Sequence, residues 1–269
     1  YLREHQKQDG SFSPANYVHA IAAMAVAEAY GMTKSAELLD PAQKAVDVLI
    51  RRQNKGMGWD YSHATGRNDT SVTGWCIMAL KSAKSAGLDI GDSFEGAAAF
   101  MDKITPEVRG SVTPVLADNC KYEYASLPDA PRMSQHQNST LTSISLLTRI
   151  FIGQNPQGKM LRAHANMLLK EKPGLIDPDK TVSWWDSACY YQWYYSTLAM
   201  FQMGGHYWKK WNEALKKTLC DLQKKGGCAD GSWEPITRRG SRAGRVYSTA
   251  VNCLSLEVYY RYLPVSLLK

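Results

Sequence analysis

The sequence predicts an all-α protein built as a ring of helical hairpins, an α/α toroid, and three observations support this fold class. Apolar segments alternate along the chain with amphipathic segments, as expected for buried inner helices paired with half-exposed outer helices. The apolar segments begin near residues 17, 71, 140, 190 and 247, a period of roughly 50–70 residues that is typical of helical-hairpin repeats. They are also apolar on every side, which favours a closed ring over an open solenoid with one wet face. We expect about five complete hairpins and a truncated sixth at the N-terminus, in a single domain spanning residues 1–269.

The clearest hairpin lies between residues 184 and 233. Residues 186–203 contain no Lys or Arg and are apolar or aromatic on all sides, so protein must cover this helix all round. Gly204 and Gly205 end it, as glycines after a helix commonly do. The next segment carries its lysines on other faces and has one apolar stripe at helical spacing, formed by Trp208, Trp211, Leu215, Leu219 and Leu222. An inner helix, a turn and an outer helix are therefore predicted here.

The other inner helices are predicted from the same apolar pattern at residues 17–30, 71–83, 140–152 and 247–262. Gly31 is expected to end the first of them and Pro264 the last. Asp69 or the hydroxyl beside it is well placed to cap the second.

Outer helices are predicted at residues 41–53, 94–104 and 160–170. The first of these is expected to begin at Pro41, since proline is favoured in the first turn of a helix. Residues 106–138, which are rich in Pro, Ser and Asn, are predicted to be a long loop or insertion. A further loop after Trp233 is expected to hold Arg238, Arg239, Arg242 and Arg245.

The composition disfavours a membrane-spanning chain and a nucleic-acid-binding protein. The net charge is +7 and the pI about 9.0, but most lysines fall on the exposed faces of outer helices, where solvation explains them. No apolar run is long enough to span a bilayer, and no signal-peptide pattern opens the chain. Residues 1–6 look like the end of a helix already under way, so we expect a longer protein, and its compartment stays open because a preceding region could export or tether it. Spacing also leaves open whether Cys220 and Cys228 form a disulfide.

Three turns contain Gln followed by Gly and an aromatic residue, at residues 6–12, 53–59 and 223–233. They resemble the QW repeat of squalene–hopene cyclases, and with the hairpin pattern they make essentially the whole chain similar to the terpenoid cyclase and protein prenyltransferase toroid superfamily. Residues 195–205 and 245–262 look closer still to bacterial "prenyltransferase and squalene oxidase repeat" proteins. The resemblance implies a toroid; it does not by itself imply an activity.

The catalytic motifs of this superfamily are incomplete in this sequence. Where the cyclases have a D-x-D-D-T motif, residues 66–70 read G-R-N-D-T, so Asn68 occupies the position of the proton donor and only Asp69 and Thr70 match. Where prenyltransferase beta subunits bind zinc, Asp186 and Cys189 have the wrong spacing and Ser248 replaces the histidine, so no metal is expected. The thioester motif of complement-type toroids is also absent from residues 227–231, and no cofactor is implied.

A toroid gathers the N-terminal ends of its inner helices around one mouth, where unpaired backbone N–H groups suit anions and polar ligands. The candidate ligand-binding residues at this rim are Trp59, Tyr61, Trp75, Trp184, Trp185, Tyr190, Trp233, Arg245 and Tyr247. Weak catalytic candidates are Asp69, Asp186 and Glu234. For Trp59 and Trp233, stacking on their own hairpins is the favoured interpretation.

Three functions are compatible with these patterns. The favoured one is a non-catalytic module that binds an apolar or glycan small molecule, or a protein, at the rim. The second is an isoprenoid-processing enzyme with Asp69 or Asp186 as a non-standard acid. The third is a carbohydrate-active toroid with two carboxylates in an aromatic cleft.

Overall fold

The computed structural model describes residues 1–105, 139–174, 189–235 and 238–261. All regular structure in these ranges is helical, apart from one isolated antiparallel bridge between Gln223 and Trp233. The predicted all-α class is therefore confirmed. The chain divides into two compact units: the N-terminal unit holds residues 1–105 and 151–154, and the C-terminal unit holds the other described residues.

The N-terminal unit has one helix, at residues 70–86, whose first eleven residues are all buried. Its helices are α1 (Leu2–His5), α2 (Asn16–Thr33), α3 (Ala36–Arg52), α4 (Thr70–Ala86) and α5 (Ser93–Ile104). α2 packs against both α3 and α4. Residues 70–80 of α4 are all buried, because this stretch has no charged side chain and its polar side chains are short. The all-round burial predicted for this helix is confirmed for residues 70–80.

α2 differs from its prediction in two respects. It is exposed along one face, where Val18 is 55% and Met32 86% exposed, so all-round burial was wrong for this helix. It also continues past Gly31 and ends at Lys34, which adopts the left-handed conformation with φ of 52°. Gly31 has a packing role instead, since a Cβ there would lie 3.2 Å from the Cβ of Ala86 in α4.

α3 has the predicted amphipathic character but begins earlier than predicted. Its apolar stripe, which includes Ala42, Ala45 and Leu49, is buried. The helix starts at Ala36, so Pro41 lies inside it rather than at its first position. Pro41 is the sixth residue of the helix, beyond the first four N–H groups that have no intrahelical partner, so it removes one backbone hydrogen bond from α3.

The C-terminal unit contains most of α6 (Ser139–Phe151) and the helices that follow it. These are α7 (Lys159–Leu168, extended by a 3-10 turn), α8 (Cys189–Met203), α9 (Gly205–Leu222), α10 (Arg238–Leu256) and α11 (Val258–Arg261). Residues 193–203 of α8 are all buried, as predicted. Half-exposed α9 packs against α8, and the indole Nε1 of Trp211 donates a hydrogen bond to the hydroxyl of Thr197 at 2.9 Å.

The last inner helix was predicted at residues 247–262 after an arginine-containing loop, and both parts need correction. The segment is already helical from Arg238, and a break at Gly244, with φ of 80°, separates the first turns from the rest. The main helix ends at Leu256 and a short helix, α11, follows. Glycine permits this break because it has no Cβ to oppose a positive φ.

The three Gln-containing turns share one set of contacts. Each follows a helix predicted to be outer, and the side-chain Nε2 of Gln6, Gln53 and Gln223 donates to a carbonyl across its own turn. The acceptors, in that order, are the carbonyl oxygens of Gly10 at 3.0 Å, Met57 at 2.7 Å and Gly231 at 2.8 Å. The amide side chain thus closes each turn with a hydrogen bond that a carboxylate could not donate.

In the N-terminal unit, the same glutamines also reach the next outer helix. Gln6 Nε2 donates to the carbonyl of Pro41 in α3 at 2.9 Å, and Gln53 Nε2 donates to the carbonyl of Ser93 in α5 at 2.9 Å. Each turn is therefore fastened to the hairpin that follows it in the chain.

The aromatic residue of each turn is bonded to the following inner helix. The backbone N–H groups of Phe12, Trp59 and Trp233 donate to His19 Nδ1 at 3.1 Å, Thr73 Oγ1 at 3.0 Å and Thr249 Oγ1 at 3.3 Å. The two indoles also donate backwards, Trp59 to the Leu49 carbonyl and Trp233 to the Leu219 carbonyl, both at 2.8 Å. The Leu49 carbonyl is one of the last four of α3, which lack an intrahelical N–H partner, so the Trp59 indole helps to cap that helix. The Leu219 carbonyl also accepts from the backbone N–H of Gln223 at 3.0 Å.

Candidate functional site

The N-terminal end of α4 holds the predicted acid candidate Asp69, which is fully buried. Its Oδ1 accepts hydrogen bonds from the backbone N–H of Val72 at 2.9 Å and from the hydroxyl of Ser71 at 2.5 Å. Asp69 is thus the N-cap of α4, as the sequence suggested. Its own backbone N–H donates to the carbonyl of Trp59 at 2.8 Å, which joins the helix start to the second turn.

The other oxygen of this carboxyl group is in a different environment. Asp69 Oδ2 is buried and has no hydrogen-bond partner within the described part of the chain. Burial raises the pKa of Asp69 above its ordinary value of 3.8, against the opposing effect of the bonds from Ser71 and Val72. A raised pKa makes the neutral acid form more accessible, and a proton on Oδ2 would leave both capping bonds at Oδ1 in place.

Asn68, which lies where the resemblance would put a proton-donating acid, instead organises the loop before α4. Its Oδ1 accepts a hydrogen bond from Asn54 Nδ2 at 3.0 Å. The Oδ1 of Asn54 in turn accepts from the backbone N–H of Gly66 at 2.8 Å. These amide contacts hold the loop 54–68 in place, and a neutral amide supplies no acidic proton.

Tyr61 is the exposed aromatic side chain of the same loop, with 43% of its surface accessible. The Arg67 guanidinium lies 5.9 Å from its ring centroid and 3.7 Å from the carboxylate of Asp60. The backbone N–H of Asn16, at the start of α2, donates to the Tyr61 carbonyl at 2.8 Å. Tyr61, Arg67 and Asp60 therefore lie together where α2 and α4 begin.

Trp59 and Trp75, also predicted to bind ligand, are buried in the N-terminal unit. Trp59 is fully buried, and its indole N–H donates a hydrogen bond to the Leu49 carbonyl of α3. The Trp75 ring on α4 lies 5.7 Å from the ring of Tyr17 on α2. Both tryptophans therefore contribute to the packing of the hairpins around them.

In the C-terminal unit, Trp233 is buried in the same way as Trp59, and Glu234 beside it forms a small ionic cluster. The Oε1 atom of Glu234 lies 2.8 Å from Arg245 Nη2 and 3.6 Å from Lys224 Nζ. Tyr247 is half-buried on α10. The structure therefore brings two predicted site residues, Glu234 and Arg245, into direct contact.

Tyr190 is buried near the start of α8, with its ring 5.6 Å from that of Trp193 in an edge-on arrangement. Trp184, Trp185 and Asp186, the other candidates near this helix, lie outside the described residues. No group of three His, Cys, Asp or Glu side chains that could hold a metal ion occurs among the residues with described placement. Cys220 and Cys228 are exposed free thiols.

Two buried histidines, His19 and His164, are not among the predicted site residues, and the sequence pattern did not reveal their chemistry. His19 accepts from Phe12 N–H at Nδ1, and its Nε2 lies 2.9 Å from the Ala45 carbonyl, so the neutral tautomer with the proton on Nε2 satisfies both contacts. Burial lowers its pKa to about 4. His164 on α7 is also fully buried, and burial, with a smaller contribution from Arg149, lowers its pKa to about 3. The helical pattern places both residues on helices, but it does not show that the helix faces carrying them are buried.

Comparisons with family models, with curated proteins and with solved structures give no match to this chain. Within the described residues, no helix is long and apolar enough to cross a membrane. The arrangement around α4 can therefore be interpreted only from its own chemistry. It offers one exposed aromatic residue, a nearby cation and a buried carboxyl group that caps a helix.

Proposed function

We propose that the chain is a helical-hairpin repeat module of the cyclase and prenyltransferase toroid type, and that it binds a small molecule without transforming it. The observation that carries the proposal is the common contact set of the three turns at residues 6–12, 53–59 and 223–233. In each turn a glutamine amide closes the loop and the aromatic N–H bonds to the next inner helix. Three turns with one geometry support the repeat that the resemblance implies.

The bonds from Gln6 to Pro41 and from Gln53 to Ser93 support lateral stacking of successive hairpins, because each turn is tied to the outer helix that follows. Closure of the stack into a ring is part of the proposal. Small-angle X-ray scattering of the full chain tests it. A compact ring of 269 residues is expected to have a radius of gyration of about 18 Å, and an open solenoid would give a distinctly larger value.

The non-catalytic part of the proposal is supported by how the candidate acids are used. Asp69 gives one carboxyl oxygen to the cap of α4, and Glu234 is held between Arg245 and Lys224. Asn68 is committed to the loop through Asn54. These contacts give each residue a structural role that needs no reaction to explain it.

The test is mass spectrometry of organic and aqueous extracts of the purified full chain, against a heat-denatured and washed blank. We expect a compound above the blank, in the organic extract if the ligand is apolar and in the aqueous extract if it is a glycan. The Asp69→Asn variant should carry the same compound in the same amount. Extracts no different from the blank would contradict a small-molecule ligand.

A second candidate, an isoprenoid-processing enzyme, is favoured by one observation: Asp69 Oδ2 is buried without a partner in the described chain and its pKa is raised. These are properties of a carboxyl group that acts as a general acid. Incubation with squalene, followed by gas chromatography, separates the two candidates. A cyclised product formed by the native chain but not by Asp69→Asn would favour the enzyme, whereas unchanged squalene with both proteins would favour the binding module.

A further inference from the structure

A small cavity lies on the C-terminal unit, and none of the candidate site residues lines it. It has a volume of about 160 Å³ and is lined by Lys159, Arg162, Ala163, Asn166 and Tyr207. The first four residues recur at helical spacing along one face of α7, and Tyr207 comes from the first turn of α9. Its floor is apolar, because Ala163 and the Tyr207 ring are buried, and its walls are polar and exposed.

Among the described residues, no acidic side chain pairs with the cations that line this cavity. Lys159 and Arg162 occupy the first turns of α7, which has no acidic residue in its first turn and no side-chain hydrogen bond at its N-cap, Gly158. Within the described ranges, no hydrogen bond or ion pair is formed by the side chains of Lys159, Arg162 and Asn166. Cations at a helix N-terminus are unfavourable, because the helix dipole already places partial positive charge there.

We propose that this cavity binds a small phosphate monoester. Two cations and the positive end of α7 match a dianion better than a carboxylate with a single charge, and Arg162 can hold two phosphate oxygens at once. The Asn166 amide adds an uncharged hydrogen-bond donor, and the Tyr207 ring can pack against a small apolar group attached to the phosphate. The volume admits a fragment-sized ligand, smaller than the 300–1,000 Å³ usual for drug-sized molecules. The proposal is independent of the ligand and the toroid proposed above.

The test is calorimetric titration of the full chain with phenyl phosphate at pH 7.5, where the monoester carries close to two charges. Two double variants with the same change in charge are compared at fixed ionic strength. Lys159→Gln/Arg162→Gln removes the cations of the cavity, and Lys170→Gln/Lys216→Gln removes two exposed lysines elsewhere in the same unit. Circular dichroism should show native helix content in both.

We expect saturable binding with one site, an affinity lower by at least about tenfold in Lys159→Gln/Arg162→Gln, and no more than a twofold change in the control. Benzoate should bind more weakly than phenyl phosphate, and phenol should not bind. Equal losses in the two double variants would overturn the proposal, because they would indicate only a general effect of net charge. Benzoate binding at least as tight, or binding to vesicles containing phosphatidic acid without saturable binding of phenyl phosphate, would overturn it as well.

Discussion

Replacement of Gln53 by Glu is the sharpest test of the repeated turn, because the two side chains have nearly the same shape. The amide Nε2 donates to the carbonyls of Met57 at 2.7 Å and Ser93 at 2.9 Å. A carboxylate has no hydrogen to donate, so both bonds are lost and its charge faces two carbonyl oxygens. Each lost bond costs about 0.5–1.5 kcal/mol, and Gln53 is half-buried, so the carboxylate can partly turn to water. We expect a loss of about 1–3 kcal/mol.

Urea denaturation of the full chain, followed by circular dichroism, measures this loss as a shift of the midpoint at unchanged slope. In a thermal melt, the same change corresponds to a decrease in Tm of roughly 2–4 °C per kcal/mol. The matched control is Gln8→Glu, which makes the same chemical change at an exposed position of the first turn and should shift the free energy of unfolding by less than about 0.5 kcal/mol. If both variants had the same stability, the bonds of Gln53 would contribute nothing and the reasoning would be refuted.

Three further predictions follow from the buried polar groups. The pKa of His19 is about 4 and that of His164 about 3 in the folded chain, against 6.5 unfolded. The unfolded state therefore binds more protons than the folded state as pH falls below 6.5. The free energy of unfolding should decrease between pH 6.5 and 4, by up to about 3 kcal/mol for His19 alone. A urea midpoint that stays constant between these pH values would contradict the prediction. Because the pKa of Asp69 is raised in the folded state, the native chain loses stability as this group ionises between about pH 3 and 7, and Asp69→Asn should gain stability relative to it over that range. Asp69→Ala loses the cap of α4 and should lose about 0.5–2 kcal/mol of unfolding free energy in urea titrations at pH 7. Trp233→Phe should cost about 0.5–1.5 kcal/mol, because the Leu219 carbonyl loses the indole donor but keeps the backbone N–H of Gln223; Trp208→Phe, at a half-buried position on α9, is the comparison, and equal urea midpoints would contradict a stabilising role for the indole bond.

The sequence predicted the helices well because their signals are local. The uncharged stretch at the start of α4 could only be a buried helix, and the apolar stripe of α3 could only face a partner. The ends were less predictable. Gly31 was interpreted as a helix end, but in the structure its missing side chain allows close packing against Ala86. The two residues are far apart in the chain, so the local pattern does not show this contact. Pro41 was interpreted as a helix start, but the structure places it at the sixth position of α3, where its missing N–H removes one helical hydrogen bond.

The candidate site was predicted less completely, because burial depends on tertiary packing. Asp69 was recognised as a cap from its position before an apolar run, but nothing local showed that its second oxygen is buried without a partner in the described chain. Trp59 and Trp233 were placed in the correct turns, but only the structure shows the indole bonds to Leu49 and Leu219. The cationic cavity on α7 was not predicted, since its fifth residue, Tyr207, comes from another helix.

The first turn differs from the other two in a way that gives it a distinct response to acid. It has Phe12 where the others have tryptophan, and its acceptor on the inner helix is His19 rather than a threonine. The rings of Phe12 and His19 stack with centroids 5.8 Å apart, and His19 also contacts the Ala45 carbonyl, so one imidazole joins the turn, α2 and α3. Protonation of Nδ1 would place a hydrogen against the N–H of Phe12 and break this junction. A threonine hydroxyl does not become protonated in this way, so acidification through the His19 pKa of about 4 should open the first turn while the equivalent contacts of Thr73 and Thr249 persist.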